Sequence, residues 1–442
     1  MLAYFGRPEA AKPDRMVVGQ AVSPADPVAG RFPHGAVGQA VSPAKLVAGR
    51  FPHGAVGQAL SPADPVAGRF PPDSISRRAL LLGTAGAFGC SRRKGRGFSG
   101  YAFVATAGGR AVAAVDLNTF TLAKRIGLEG VPDTVIPHPL RPAVYVLMPE
   151  SGAMCEIDAA TLKVARTVRL GAPAISMRLA PDGESLWVLQ ARTLVRLDRD
   201  RLRTVQSIGL PATAEDFDLS RDGRAAIGFG PERQLALIRL DKGAVEHLGA
   251  AGPEPSLVRF QSDGKQVLAG SRADRSLTIF DAASGRTVVR LPLPVEPANF
   301  CFNSDGGQMF VTGPGMDAVA IVFPYRTEVG ETILAGRGPD GMAVTATPPY
   351  LFVANPSAGS ITVLDIDTRK LVAVVAVGQE PRRILITPDE RYALVLNRRS
   401  GDMAVIQIAS FTARRHRQDP PPLFTMIPVG EQPVGGAVVA VD

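Results

Sequence analysis

Cysteine is nearly missing. The chain has three in 442 residues, Cys90, Cys155 and Cys301, too few and too scattered for a disulfide framework or a metal-ligand spacing. Cys155 in "AMCEID" and Cys301 in "NFCFNS" alternate with apolar residues and read as buried strand positions. Aromatic residues amount to 6%, and the basic residues are dispersed and rarely interleaved with them. The formal charge of +8 is therefore a solvated surface, and no nucleic-acid partner is expected. Histidine is equally scarce: after residue 100 there are only His138, His247 and His416, in a Pro-flanked turn, an outermost strand and an Arg/Pro-rich insertion. Three histidines in three such contexts make no metal site. There is also no Gly-rich phosphate loop, no nucleophile elbow and no repeated His-Cys pair. No catalytic residue is assigned and no cofactor is evident.

What the chain does have is glycine (46), proline (38) and 45% hydrophobic content. That balance favours many short strands joined by turns, an all-β protein.

Residues 1–72 stand apart. "VGQAVSPADPVAGRFPHGA", "VGQAVSPAKLVAGRFPHGA" and "VGQALSPADPVAGRFPPDS" repeat at a period of 19 residues. Each copy carries several prolines and no long apolar run, too little to offset the entropy of ordering it, so disorder is expected. Near-identity between copies reads as recently duplicated DNA. The expectation is upstream sequence read through in frame, with translation starting nearer Arg77; a genuine disordered leader is the alternative.

Residues 73–90 contain "SRRALLLGTAGAFGC". Arg77 and Arg78 precede an apolar run of about ten residues, which suits a signal h-region and is short of the ~20 needed to span a bilayer. The stretch resembles a twin-arginine export signal. "AFGC" resembles a lipoprotein cleavage box, which implies that Cys90 takes the lipid. Ala87 and Phe88 depart from that box, where leucine and a small residue are usual. A basic linker, 91–99, follows.

From residue 100 to 442 a period near forty-two takes over. Each unit reads as four strands: one running into a turn such as "APDG" or "NSDG", one like "LFVAN", one like "SITVLDI" and one like "KLVAVVAVG". The turn aspartates accept backbone N–H groups, and those closing the third strand (Asp116, Asp158, Asp198, Asp281, and Asp365 or Asp367) read as structural because every unit repeats them. Four-stranded units at this period point to a β-propeller. "LFVANPSAGSITVLDIDTRKLVAVVAVGQEPRRILITPDERYALVLN" resembles the YVTN family of propeller repeats, most closely over residues 338–400.

Strand phase gives the blade count. "YAFVATAGGRAVAAVDLNTFTLAKRIG" supplies second, third and fourth strands, and "PVGGAVVAVD" supplies the missing first. Complete units begin near Val131, Pro173, Thr213, Pro253, Glu296, Gly338 and Glu380. The prediction is eight blades, the last shared between both ends of the domain, with seven as the alternative.

The loops into the first strands carry a recurring proline, in "VPDT", "APAI", "EPSL", "EPAN", "GPDG", "EPRR" and "QPVG". Residues just after it, including Asp133, Asn299, Asp340, Arg382 and Arg383, are expected to ring one channel mouth. There they would face one another across a funnel and hold a polar or anionic ligand.

The resemblances imply an exported, lipid-anchored binding or scaffold module at the cell envelope, on the periplasmic face of the inner or outer membrane. Its partner would be a protein or a small polar or anionic ligand. The alternative is an enzyme or cofactor-handling protein of the haem d1 or quinone-linked propeller kind, which this repeat form also resembles; a lactonase-like propeller is more remote.

Overall fold

The computed structural model describes residues 97–252, 255–411 and 421–441. The tandem repeat, the export signal with Arg77, Arg78 and Cys90, most of the basic linker and His416 lie outside the described residues.

Among the described residues the backbone forms eight four-stranded antiparallel sheets, with only three short 3-10 turns beside them. Seven sheets are consecutive in sequence. Their first, innermost strands are Val135–Pro137, Ala174–Leu179, Ala214–Leu219, Pro255–Phe260, Asn299–Phe302, Met342–Val344 and Pro381–Ile386, which define blades 1 to 7. In blade 8, Pro433–Ala440 pairs antiparallel with Gly100–Thr106 and becomes the innermost strand of a sheet otherwise built from the start of the domain. Ser99 Oγ adds a bond to Val441 O at 2.9 Å. Eight blades arranged in a ring make a β-propeller, as the strand phase predicted.

Burial follows strand position. Second strands such as Ala143–Met148, Tyr350–Asn355 and Tyr392–Asn397 are buried throughout, because both sheet faces are covered by neighbouring blades. Fourth strands such as Thr121–Gly127 and Ala244–Ala250 lie on the rim and are mostly exposed. The core accordingly sits between blades: Trp187, Phe217 and Phe229 join blades 2 and 3, and Phe352, Ile361 and Val395 join blades 6 and 7.

The repeated aspartates are structural. Asp182, Asp263 and Asp305 each accept a backbone N–H two residues on, at 2.7–2.9 Å. At the end of the third strand Asp158, Asp281 and Asp365 each accept one three residues on. The member in blade 6 is therefore Asp365, not Asp367.

Register makes the blades comparable. Pro381, Pro255 and Pro433 each lie opposite the last residue of their second strand (Asn397, Ser271, Thr106). A missing N–H is harmless at the start of an edge strand. In blade 2 that place belongs to Ala174 and in blade 3 to Ala214, so Pro173 is one residue out of step.

Candidate functional site

The residues that follow this register position stand where the innermost strands begin, at one mouth of the channel. In blades 5 to 7 they form a continuous polar chain. Asn299 Nδ2 donates to Asp340 Oδ1 at 2.7 Å, Arg382 Nη1 reaches Asp340 Oδ2 at 2.7 Å, and Arg382 Nε reaches Glu380 Oε1 at 2.8 Å. Arg398 extends the chain from Glu380 at 3.8 Å. Three of the five predicted rim residues are thus brought together. Asp133, in blade 1, is not: its carboxylate takes the hydroxyl of neighbouring Thr134 at 2.8 Å. Arg383 is exposed and makes no ion pair or side-chain hydrogen bond among the described residues.

The expectation that acidic and basic groups face each other across a funnel needs correcting. They pair along the rim, between adjacent blades, because neighbouring innermost strands come within hydrogen-bond reach. Two glycines permit that approach. A Cβ on Gly341 would run into the Arg382 carbonyl of the next blade, and one on Gly435 into the Asp133 carbonyl.

Beside the chain, a cleft of about 700 Å³ opens between the loops of blades 7 and 8. Arg125, Arg398 and Arg399 line it with Glu380 and Glu431. The Arg125 and Arg399 side chains are exposed and without an acid partner among the described residues.

Across the ring, blades 2 to 4 carry a second polar group that the sequence reading missed. Arg178 Nη2 meets Asp216 Oδ1 at 3.2 Å, and Arg259 Nη1 meets Asp216 Oδ2 at 2.6 Å. Asp216 Oδ2 also accepts the Val258 N–H at 3.0 Å, and Asp218 Oδ2 accepts the Phe260 N–H at 2.8 Å. Those amides belong to the innermost strand of blade 4, whose inner edge has no neighbouring strand in its sheet. The aspartates of blade 3 satisfy them. Arg178 Nε in turn donates to the Phe217 carbonyl at 2.5 Å. Burial raises the Asp218 carboxyl above the usual range, against the pull of Arg178 and Arg259. Burial, with repulsion from Arg259, also lowers Arg178 from the usual guanidinium range despite its two acid neighbours. The signal in the sequence was "AEDFDL": two charges at alternate positions of a first strand, where blade 7 has Arg383 and Leu385.

The described histidines stay away from both places. His138 follows the innermost strand of blade 1 at its other end and is buried, with Nδ1 accepting the Leu140 and Arg141 N–H groups at 3.1 Å. Nε2 lies 3.1 Å from the donating Arg141 Nε and 3.7 Å from Asp200. Burial, then Arg141 and Arg199, push its pKa down to about 4. His247 contacts the Ala283 carbonyl from an outermost strand. Burial lifts both Cys155 and Cys301 to about 12, so neither is a thiolate at neutral pH.

No family model matches this chain, and neither does any curated protein. Solved structures do match. The chain is similar to the dihydro-heme d1 dehydrogenase NirN in complex with DHE, at 17% identity and a TM-score of 0.64, over 76% of this chain and 75% of that one. Hydrazine synthase of Kuenenia stuttgartiensis matches at 20% identity and 0.51, over 63% of this chain and 96% of that one. A functionally unknown protein from Desulfotomaculum acetoxidans matches at 14% and 0.52, over 64% and 98%. At such identities the likeness is one of fold, and the fold is the eight-bladed propeller described above.

Proposed function

We propose that this chain is an exported, lipid-anchored propeller of the YVTN type that binds a polar, anionic ligand at one channel mouth, as a binding module of the cell envelope. The observation that carries the ligand class is the cleft between blades 7 and 8, with the exposed guanidinium groups of Arg125 and Arg399 and, on the rim, Arg383. Asp340, Arg382, Glu380 and Arg398 balance one another's charge and, with Asn299, hold the rim in place. The arginines beyond them are left available to an anion. The anchor is Cys90, after the export signal headed by Arg77 and Arg78.

The fold likeness to a dihydro-heme d1 dehydrogenase supports a second reading, a tetrapyrrole-handling propeller. The described residues do not fit an axially ligated haem in the channel. They offer it no imidazole; the Cys301 thiol is protonated at neutral pH, and Met342 packs into the core between blades 5 and 6.

Intact and native mass spectrometry of protein purified from its host membrane, with its absorbance spectrum, tests both readings. The expected result is a chain beginning at an acylated Cys90 and a colourless anionic ligand, whose retention falls about tenfold in Arg399→Gln. A coloured protein would transfer the assignment to the tetrapyrrole reading. An unlipidated chain that begins upstream of Arg77 would remove the anchor and the export signal.

A further inference from the structure

The polar group of blades 2 to 4 has more donors than the protein uses. Arg178 spends Nε on the Phe217 carbonyl and Nη2 on Asp216; Nη1 has no protein acceptor. Arg259 spends Nη1 on Asp216 and the Val258 carbonyl; Nε and Nη2 have none. These free N–H groups are not sealed inside the protein, since both side chains keep about a quarter of their surface exposed. The acids are the more fully used partners. Asp216 divides its two oxygens among two guanidinium groups and a backbone amide, and Asp218 is taken by the Phe260 N–H and Arg178. In the same strands Ser176 Oγ and Ser256 Oγ are buried without a hydrogen-bond partner. Buried hydroxyls are normally satisfied, so each awaits an acceptor or a donor.

Position in the ring sharpens this. Two residues after Arg383's counterpart in each first strand stand Ile136, Arg178, Asp218, Arg259, Cys301, Ala343, Leu385 and Ala437 in blades 1 to 8. Charge is confined to three consecutive blades, and the other five present apolar or thiol side chains. Two guanidinium groups braced by one shared carboxylate repel each other, and a bound anion relieves that repulsion while collecting the unused N–H groups. Side chains already fixed by Asp216 lose little freedom on binding.

We infer that Arg178 and Arg259, braced by Asp216 and flanked by Ser176 and Ser256, form an oxyanion site in the channel wall, taking a carboxylate or phosphate group. This site is separate from the cleft of blades 7 and 8 and stands or falls independently of it.

Phenylglyoxal labelling of the intact wild-type protein, read by peptide mass spectrometry, tests it without requiring a variant to fold. Citrate and inorganic phosphate serve as the carboxylate and phosphate probes, and chloride at equal ionic strength as the control. Citrate or phosphate should slow labelling of Arg178 and Arg259 at least fivefold, and whichever probe does so at lower concentration gives the group. Titration calorimetry of Arg259→Gln should then show about a tenfold loss of affinity for that probe, while Arg169→Gln, on an exposed outer pair with Glu129 away from both sites, leaves this binding unchanged. Protection confined to Arg125 and Arg399 would overturn the wall site and leave the mouth reading standing. Equal labelling in all three salts, or an adventitious effect shared by chloride, would overturn it too.

Discussion

Blade 3 and blade 7 face each other across the ring, and their first strands share one register, Ala214 with Pro381 and Asp216 with Arg383. Their chemistry is opposite. Blade 3 sends Asp216 and Asp218 into the backbone amides of blade 4, so its charges are built into the wall. In blade 7, Arg382 joins a chain of exposed or half-buried rim groups, and Arg383 joins nothing. The repeat thus sets where a side chain stands, while the neighbouring blade decides whether its charge is structural or free. A charge aimed at an unpaired edge amide is consumed by folding; a charge aimed at solvent remains for a ligand.

The largest way to break this arrangement is to remove the strand both halves of the ring depend on. Deleting residues 433–442 strips the ladder between Pro433–Ala440 and Gly100–Thr106 and takes Ala437 and Val439 out of the core around Phe103. Several backbone bonds at about 1 kcal/mol each, plus the lost packing, match a large part of a typical total of roughly 5–15 kcal/mol. Limited proteolysis and thermal unfolding should show a chain digested at temperatures the full one withstands. A melting temperature equal to that of the full chain would contradict closure through a shared blade.

Next comes the contrast itself. Asp216→Ala leaves two guanidinium groups and the Val258 amide without their partner, and should cost about 3 kcal/mol. Arg382→Ala, on a side chain 43% exposed, should cost about 0.5–1 kcal/mol. Urea denaturation of the two variants side by side decides it; equal losses would erase the distinction between wall and rim.

The smallest effect is expected from acid. His138 has a folded pKa of about 4, below its ordinary 6.5, so the unfolded chain binds its proton first. Its contribution is present above pH 6.5 and drains away as the pH falls towards 4. Asp218 acts in the opposite sense. Its raised pKa means that the native state takes up a proton more readily than the unfolded chain, so acid relieves the cost of its burial. As the pH falls from 6.5 towards 4 the wild type should therefore lose stability that His138→Gln does not, and Asp218→Asn should lose more than the wild type at the acid end. Identical pH slopes in all three proteins would dismiss both assignments.

Much of the fold could be read in the chain. Turn aspartates, continuous apolar second strands and strand phase at the two ends sufficed for the blade number and for closure, because each is a local pattern repeated many times. The rim was partly legible: Asn299, Asp340 and Arg382 follow the recurring proline and do meet. The wall was not. Nothing in "AEDFDL" says that Asp216 will find the Val258 amide, since that depends on how closely two blades approach some forty residues apart in sequence. His138 was likewise read as a turn residue, while two of the charged groups that act on it, Asp200 and Arg199, come from the following blade.

The shared blade also works as a check on completeness. Ser99 and Val441, bonded in the folded protein, are separated by 342 positions along the chain. Bringing together ends that far apart costs about 5 kcal/mol of loop entropy if nothing between them is ordered, and almost none once the seven intervening blades have already curved the ring. The seam between Gly100–Thr106 and Pro433–Ala440 is thus expected to close late in folding. A nascent chain released early, or one nicked between blades and separated, has no strand to offer that seam. It keeps an open edge that proteases and chaperones can recognise, so only a chain synthesised through Ala440 can hide it.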